Sequence, residues 1–180
     1  MAMRYPDLAT DALTEEQCAV VEKITAKQPD LTAGPYGAMV HAPVVAGLVY
    51  ELDTFLTEGL LVPERLRVIA ELTAAAKHRP EDVYAYIAFK NIPTGFLSQE
   101  TIDAIAAGNT PISTHDDENL VYEFVLELIH TGRVGNDCFD RACAAFGREI
   151  CLELVKVAGF AIFFNGMAGI TERKRSISAV

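Results

Sequence analysis

The chain has 180 residues, 51% of them apolar and 22% charged, which suits one substantial core and is far from a disordered composition. A net charge of −10 argues against nucleic acid as a partner, because phosphate binding needs a basic face, and weakly against anionic membrane surfaces. A small anionic substrate stays open, since a few local Lys or Arg are enough to hold one.

The opening MAMRYPDLATDALTEEQ has no apolar run of signal-peptide length. Within it, Thr14-Glu15-Glu16-Gln17 has the pattern of a capping box and opens a helix expected to reach about Lys27. Thr32 to Pro43, TAGPYGAMVHAP, reads as a Gly/Pro loop carrying an aromatic residue and His41. A second helix is expected from about Pro43 to Gly59, apolar at Val44, Val45, Leu48, Val49, Leu52 and Phe55. Pro63 starts a third through Leu66, Ile69, Leu72 and Ala76, at the first-turn position that proline favours.

Pro80 restarts the chain, with Glu81 and Asp82 suited to the first turn of a fourth helix that ends at Pro93-Thr94-Gly95. Ser98 caps a short fifth helix that stops at Gly108. From Asp116 to Thr131 the residues Leu120, Val121, Phe124, Val125, Leu128 and Ile129 form one stripe, closed by Gly132. Another helix spans about Asp137 to Phe146 and is closed by Gly147. The last runs from about Arg148 into the 160s. Its most apolar stretch, VAGFAIFF from Val157 to Phe164, is shorter than the ~20 residues that span a bilayer, so it reads as a buried helix and the protein as cytoplasmic. No stretch sustains period-two alternation. The expected fold class is therefore all-α, about eight helices in a single domain over residues 1–180, with loosely held ends near 1–12 and 171–180.

Cys18, Cys138, Cys143 and Cys151 show no C-x-x-C, and neither they nor His41, His78, His115 and His130 have the spacing of a metal site. Four reduced thiols, mostly buried, and no metal are expected.

Several segments, in order, resemble the carboxymuconolactone decarboxylase family, whose all-helical fold is shared with the alkylhydroperoxidase AhpD. They are GPYGAMVHAPVVAGLV, LLVPERLRVIAEL, GFLSQETIDAIAAG and the long ENLVYEFVLELIHTGRVGNDCFDRACAAFGREICLELVKVAGF. The resemblance covers roughly residues 30 to 170 and implies an AhpD-like helical bundle and a homo-oligomer, a trimer or a multiple of it such as a hexamer. The peroxidase branch carries Glu, then C-x-x-C, then His. Here the glutamate position is Val68, and the segment where thiols and His belong reads Val83-Tyr84-Ala85-Tyr86-Ile87-Ala88. A thiol peroxidase cycle at that motif has no nucleophile.

The candidate replacements are Glu71, Tyr86, Lys90 and His78. Glu71 lies three residues after Val68 and projects from nearly the same helix face. At the offsets that the peroxidase branch gives to Cys, Cys and His stand Val83, Tyr86 and Lys90. Lys90 would steer a substrate carboxylate, Tyr86 donate a hydrogen bond, and Glu71 shuttle a proton once burial raises its pKa against the pull of Lys90. His78 lies seven residues beyond Glu71 on the same stripe, as a further acid or base or as a helix-end stabiliser. The plainer alternative for Glu71 is a surface ion pair with Arg67, one turn earlier. Tyr84 and Tyr86 cannot face the same way along a helix, so at most one lines a pocket. His41, after the GPYG loop, is a weaker candidate for the pocket mouth, and His115, beside Asp116 and Asp117, reads as a helix start.

What the resemblance implies is a lyase or isomerase acting, without metal or organic cofactor, on a small carboxylated lactone or ring-cleavage product of aromatic catabolism. The alternative is a non-catalytic oligomeric member that binds a small apolar ligand. Peroxidase activity comes third, disfavoured by the absence of C-x-x-C.

Overall fold

The structure, a computed structural model, describes residues 4–27, 32, 35–77, 84, 86–87, 92–93, 95–111 and 115–171. Among these it is all-α, with eight α-helices, a short 3-10 turn at Thr10–Ala12 and no strand. The chain divides into two compact units, one of residues 1–59 with 166–180 and one of residues 60–165.

In the first unit, α1 (Glu15–Thr25) begins as the capping box predicts. The Thr14 hydroxyl accepts the Gln17 N–H at 3.2 Å, and the Gln17 side chain accepts the Thr14 N–H at 2.9 Å. The segment expected to be a loop holds a helix instead, α2 (Pro35–Met39). Burial explains the difference: Pro35, Tyr36, Ala38 and Met39 all turn inward, and the Tyr36 hydroxyl donates to Asp53 Oδ2 at 3.1 Å. That acceptor lies on α3 (Pro43–Glu58), which has proline in its first turn. Lys23 pairs with Glu51, and Lys27 with Glu58 at 3.0 Å, so α1 is tied to α3 at two points. The face of α3 bearing Val44, Val45, Leu48, Leu52 and Phe55 is exposed, each residue by 45% or more.

The second unit is built around α4 (Glu64–Ala75), which packs on α6 (Asp116–Thr131) and on α5 (Gln99–Ala106). Pro63 is the capping residue just before α4 rather than its first helical residue. The Ser98 hydroxyl caps α5 by accepting the Thr101 N–H at 3.1 Å. Gly132 ends α6 at a φ of 75°, in the left-handed region that a side chain resists. Next comes α7 (Asn136–Phe146), packed on α6. After it, α8 (Arg148–Thr171) contributes residues up to Asn165 to this unit. Residues 148–170 of α8 are long and apolar enough to cross a membrane by length and composition alone, a longer stretch than the Val157–Phe164 run weighed in the sequence. Within the unit it buries Cys151, Leu154, Val157, Ala158, Phe160, Ala161 and Phe164. VAGFAIFF, expected to be buried, is so in part: Gly159 and Phe163 within it are exposed.

Candidate active site

Every residue of α4 from Leu66 to Ala75 is buried. A helix enclosed on all sides ordinarily carries apolar residues all round. This one holds Arg67, Glu71 and Thr73. The Thr73 hydroxyl donates to the Ile69 carbonyl at 2.7 Å, which satisfies it locally. The two charges satisfy one another: Arg67 Nη1 donates to Glu71 Oε1 at 2.7 Å, with side chains 7% and 3% exposed. Arg67 Nη2 lies 3.6 Å from Glu64 Oε1, whose side chain is largely in water. The i,i+4 pair anticipated as a surface contact therefore forms, but inside the protein. The reason is that α4 is buried all round from Leu66 to Ala75, so it has no solvent face for the pair to occupy.

Both ends of α4 are held from a distance. Ahead of it, the buried Glu153 carboxylate accepts the Leu61 N–H at 3.1 Å and the Val62 N–H at 2.7 Å. Arg65 donates to Asp117 at 2.7 Å and to Glu118, so the first turns of α4 and α6 are clasped together. At the other end, the Asn165 amide donates to the Ala75 carbonyl at 3.1 Å. Lys77 donates to the Ile129 carbonyl in the last turn of α6. Glu153 and Asn165 carry no sequence signal for these roles, because their partners lie about ninety residues away.

Tyr86 is buried at 3% exposure, whereas Tyr84 is exposed and its hydroxyl donates to Asp103 Oδ1 at 2.6 Å. One tyrosine of the two faces inward, as helical geometry required. His78 and Lys90 lie outside the described residues. His41 is exposed, its Nε2 3.1 Å from the Pro6 carbonyl and its ring against Tyr5. His115 occupies the capping position of α6, and His130 its exposed last turn.

A cavity of about 110 Å3 opens between the C-terminal ends of α4, α5 and α6, walled by Ala76, Ile105, Leu126 and Ile129, with Thr73, Lys77, Tyr122 and His130 also at its lining. Glu71 is not at its wall. The α4 residues at its lining are Thr73 and Ala76, nearly opposite Glu71 on the helix. Burial raises the Tyr122 phenol above its ordinary pKa.

Among the described residues, Glu123, Glu127 and Cys138 place one ligating atom each within 4.8 Å of one another. Those groups have other work. Arg141 holds both oxygens of Glu123, and Glu127 Oε2 accepts the Gly135 N–H at 2.7 Å. The Cys138 thiol is pushed up to about 11 by burial and then by the two carboxylates. All four cysteines are free thiols, Cys138 and Cys151 buried and Cys18 and Cys143 partly so. Compared with models of known protein families the sequence matches none, and no curated protein matches it.

Proposed function

We propose that the Arg67–Glu71 pair is the reactive centre of a cofactor-independent lyase or isomerase acting on a small carboxylated lactone or ring-cleavage product. One observation carries this reading: a carboxylate and a guanidinium bonded at 2.7 Å within the stretch of α4, Leu66 to Ala75, that is buried throughout. Stability does not call for such a pair, because well-packed apolar residues of the same volume serve a core as well or better. Buried charges collect where chemistry needs them. The sequence resemblance to carboxymuconolactone decarboxylases supplies the substrate class.

In this reading Glu71 takes a proton from the carbon next to the lactone carbonyl. The electron pair left on carbon moves to the carbonyl oxygen, and the guanidinium stabilises the resulting enolate. Glu71 then returns the proton to the conjugate carbon, giving isomerisation. In the decarboxylating variant the bond to the carboxylate breaks, carbon dioxide leaves, and a protonated Glu71 supplies the proton that replaces it. Buried Tyr86 serves as a hydrogen-bond donor to the substrate, with His78 and Lys90 assigned to the same centre from the sequence. The protein works as a homo-oligomer, a trimer or hexamer, joined through the exposed apolar face of α3.

The test is turnover on a panel of carboxylated lactones by the wild type and by Glu71→Gln. Isomerisation or carbon dioxide release that falls ~100-fold in the variant is expected; equal turnover would remove Glu71 from the mechanism.

A second reading is favoured by the cavity at Tyr122, whose lining includes Ala76, Ile105, Leu126 and Ile129 but not Glu71. There the protein binds a small apolar ligand without transforming it. Saturable binding of such a ligand, with no turnover on the lactone panel, would select this alternative.

A further inference from the structure

Cys143 and Cys151 have no redox spacing in the sequence, yet their sulfur atoms lie 3.7 Å apart. The chain between them explains it. Cys143 is in the last turn of α7, Gly147 reverses the chain at a φ of 85°, and Cys151 follows in the first turns of α8. The corner is bonded to the backbone of both cysteines. The Gly147 N–H donates to the Cys143 carbonyl at 3.0 Å, and the Cys151 N–H to the Gly147 carbonyl at 3.3 Å. Both thiols are free.

We propose that Cys143 and Cys151 are a reversible oxidation site, closed to an intramolecular disulfide by a small hydroperoxide such as hydrogen peroxide. A disulfide needs its sulfurs ~2.05 Å apart, so each must move by about 0.8 Å, within reach of side-chain rotation.

The two sulfurs have unequal surroundings, which orders the steps. Cys143 is partly open to solvent, whereas Cys151 is 2% exposed. Burial, and then the hydrogen bond with Cys143, push the Cys151 thiol up to about 11. Cys151 is the harder thiol to ionise and the less accessible, leaving Cys143 as the reachable nucleophile. The Cys143 thiolate attacks one peroxide oxygen. The S–O bond forms, the O–O bond breaks, and the departing hydroxide takes a proton to leave as water. Cys143 is then a sulfenic acid. The Cys151 sulfur attacks the Cys143 sulfur, the S–S bond forms, the S–O bond breaks, and a second water carries off the Cys151 proton. Two thiols are oxidised by two electrons and one peroxide is reduced. The partial burial of this corner selects a small oxidant over a bulky disulfide. The inference stands apart from the reaction proposed at Glu71.

The experiment treats the reduced full-length protein with hydrogen peroxide and then maps tryptic peptides by mass spectrometry. Cleavage after Arg141, Arg148 and Lys156 leaves Cys143 in peptide 142–148 and Cys151 in peptide 149–156, with Cys138 and Cys18 in others. The expected result is a loss of two hydrogens per chain, these two peptides joined within one chain, and reversal by dithiothreitol. In Cys151→Ser, peroxide should stop at a Cys143 sulfenic acid that dimedone traps. The proposal is overturned if peptides 142–148 and 149–156 remain unlinked, if the link instead involves Cys18 or Cys138, or if it joins two chains. Because the wild-type map decides the matter, a folding defect in the variant would not leave it open.

Discussion

Arg67 Nη1 and Glu71 Oε1 sit 2.7 Å apart, one turn along a helix buried from Leu66 to Ala75, so removing either charge breaks a buried ion pair. Glu71→Ala should lower stability by about 3–5 kcal/mol, the range for breaking a buried pair, and Glu71→Gln by less because it keeps an acceptor. The double change Arg67→Met with Glu71→Leu should recover most of that loss while leaving no turnover. Chemical denaturation of the three variants checks it. A double variant as unstable as Glu71→Ala would show that the pair is a structural requirement.

Glu153→Ala should cost about 2 kcal/mol or more, because the Leu61 and Val62 N–H groups lose their shared acceptor and the Val62 N–H is buried. Glu153→Gln retains one acceptor oxygen and should fall between the two. Amide hydrogen exchange at Leu61 and Val62 should quicken in the same order. Unchanged exchange would mean that water replaces the carboxylate without penalty.

Much of this arrangement was legible beforehand. The capping box at Thr14 and Gln17, the Ser98 cap and the glycines ending α6 and α7 are local devices, and local chemistry decides them. That Tyr84 and Tyr86 face differently followed from helical geometry, but which of them is buried did not. What could not be read was set by distance along the chain. Arg67 and Glu71 look like a surface pair until α4 is known to be buried on every face from Leu66 to Ala75. Helix α2 looks like a loop until Tyr36 finds Asp53. Cys143 and Cys151 are separated by a spacing typical of no motif, and only the Gly147 corner brings them together.

Stability should decline on the alkaline side, starting near the ordinary thiol value. Cys138 and Cys151 have folded values raised from 9.0 to about 11, in each case chiefly by burial. Between those limits the unfolded chain gives up protons that the folded chain keeps, so the unfolded state gains. Their contribution is therefore whole below about pH 9 and lost as pH rises through about 11. Tyr36, raised by burial and then by Asp53, adds to the same decline. Urea midpoints measured across this window should fall, and Cys138→Ala with Cys151→Ala should flatten the fall. A slope unaffected by removing both thiols would assign it elsewhere.

The α3 face of Val44, Val45, Leu48, Leu52 and Phe55 should be covered in solution by other copies of the chain. Sedimentation at micromolar concentration should return an oligomer, and Leu48→Lys, placing a charge at the middle of that face, should return monomer. A wild-type monomer under those conditions would remove the oligomer from the proposal.

The bond from Glu153 to Val62 also has a consequence for synthesis. Val62 leaves the ribosome 91 residues ahead of its acceptor. At ~5–20 residues per second, the interval is roughly 5 to 18 seconds. Throughout it, the segment that becomes α4 has neither the carboxylate that fixes its start nor the Asn165 amide that holds its end. Nascent chains halted before Glu153 should therefore present the α4 sequence as an open apolar segment, a ready target for chaperones, and chains extended past Asn165 should withdraw it.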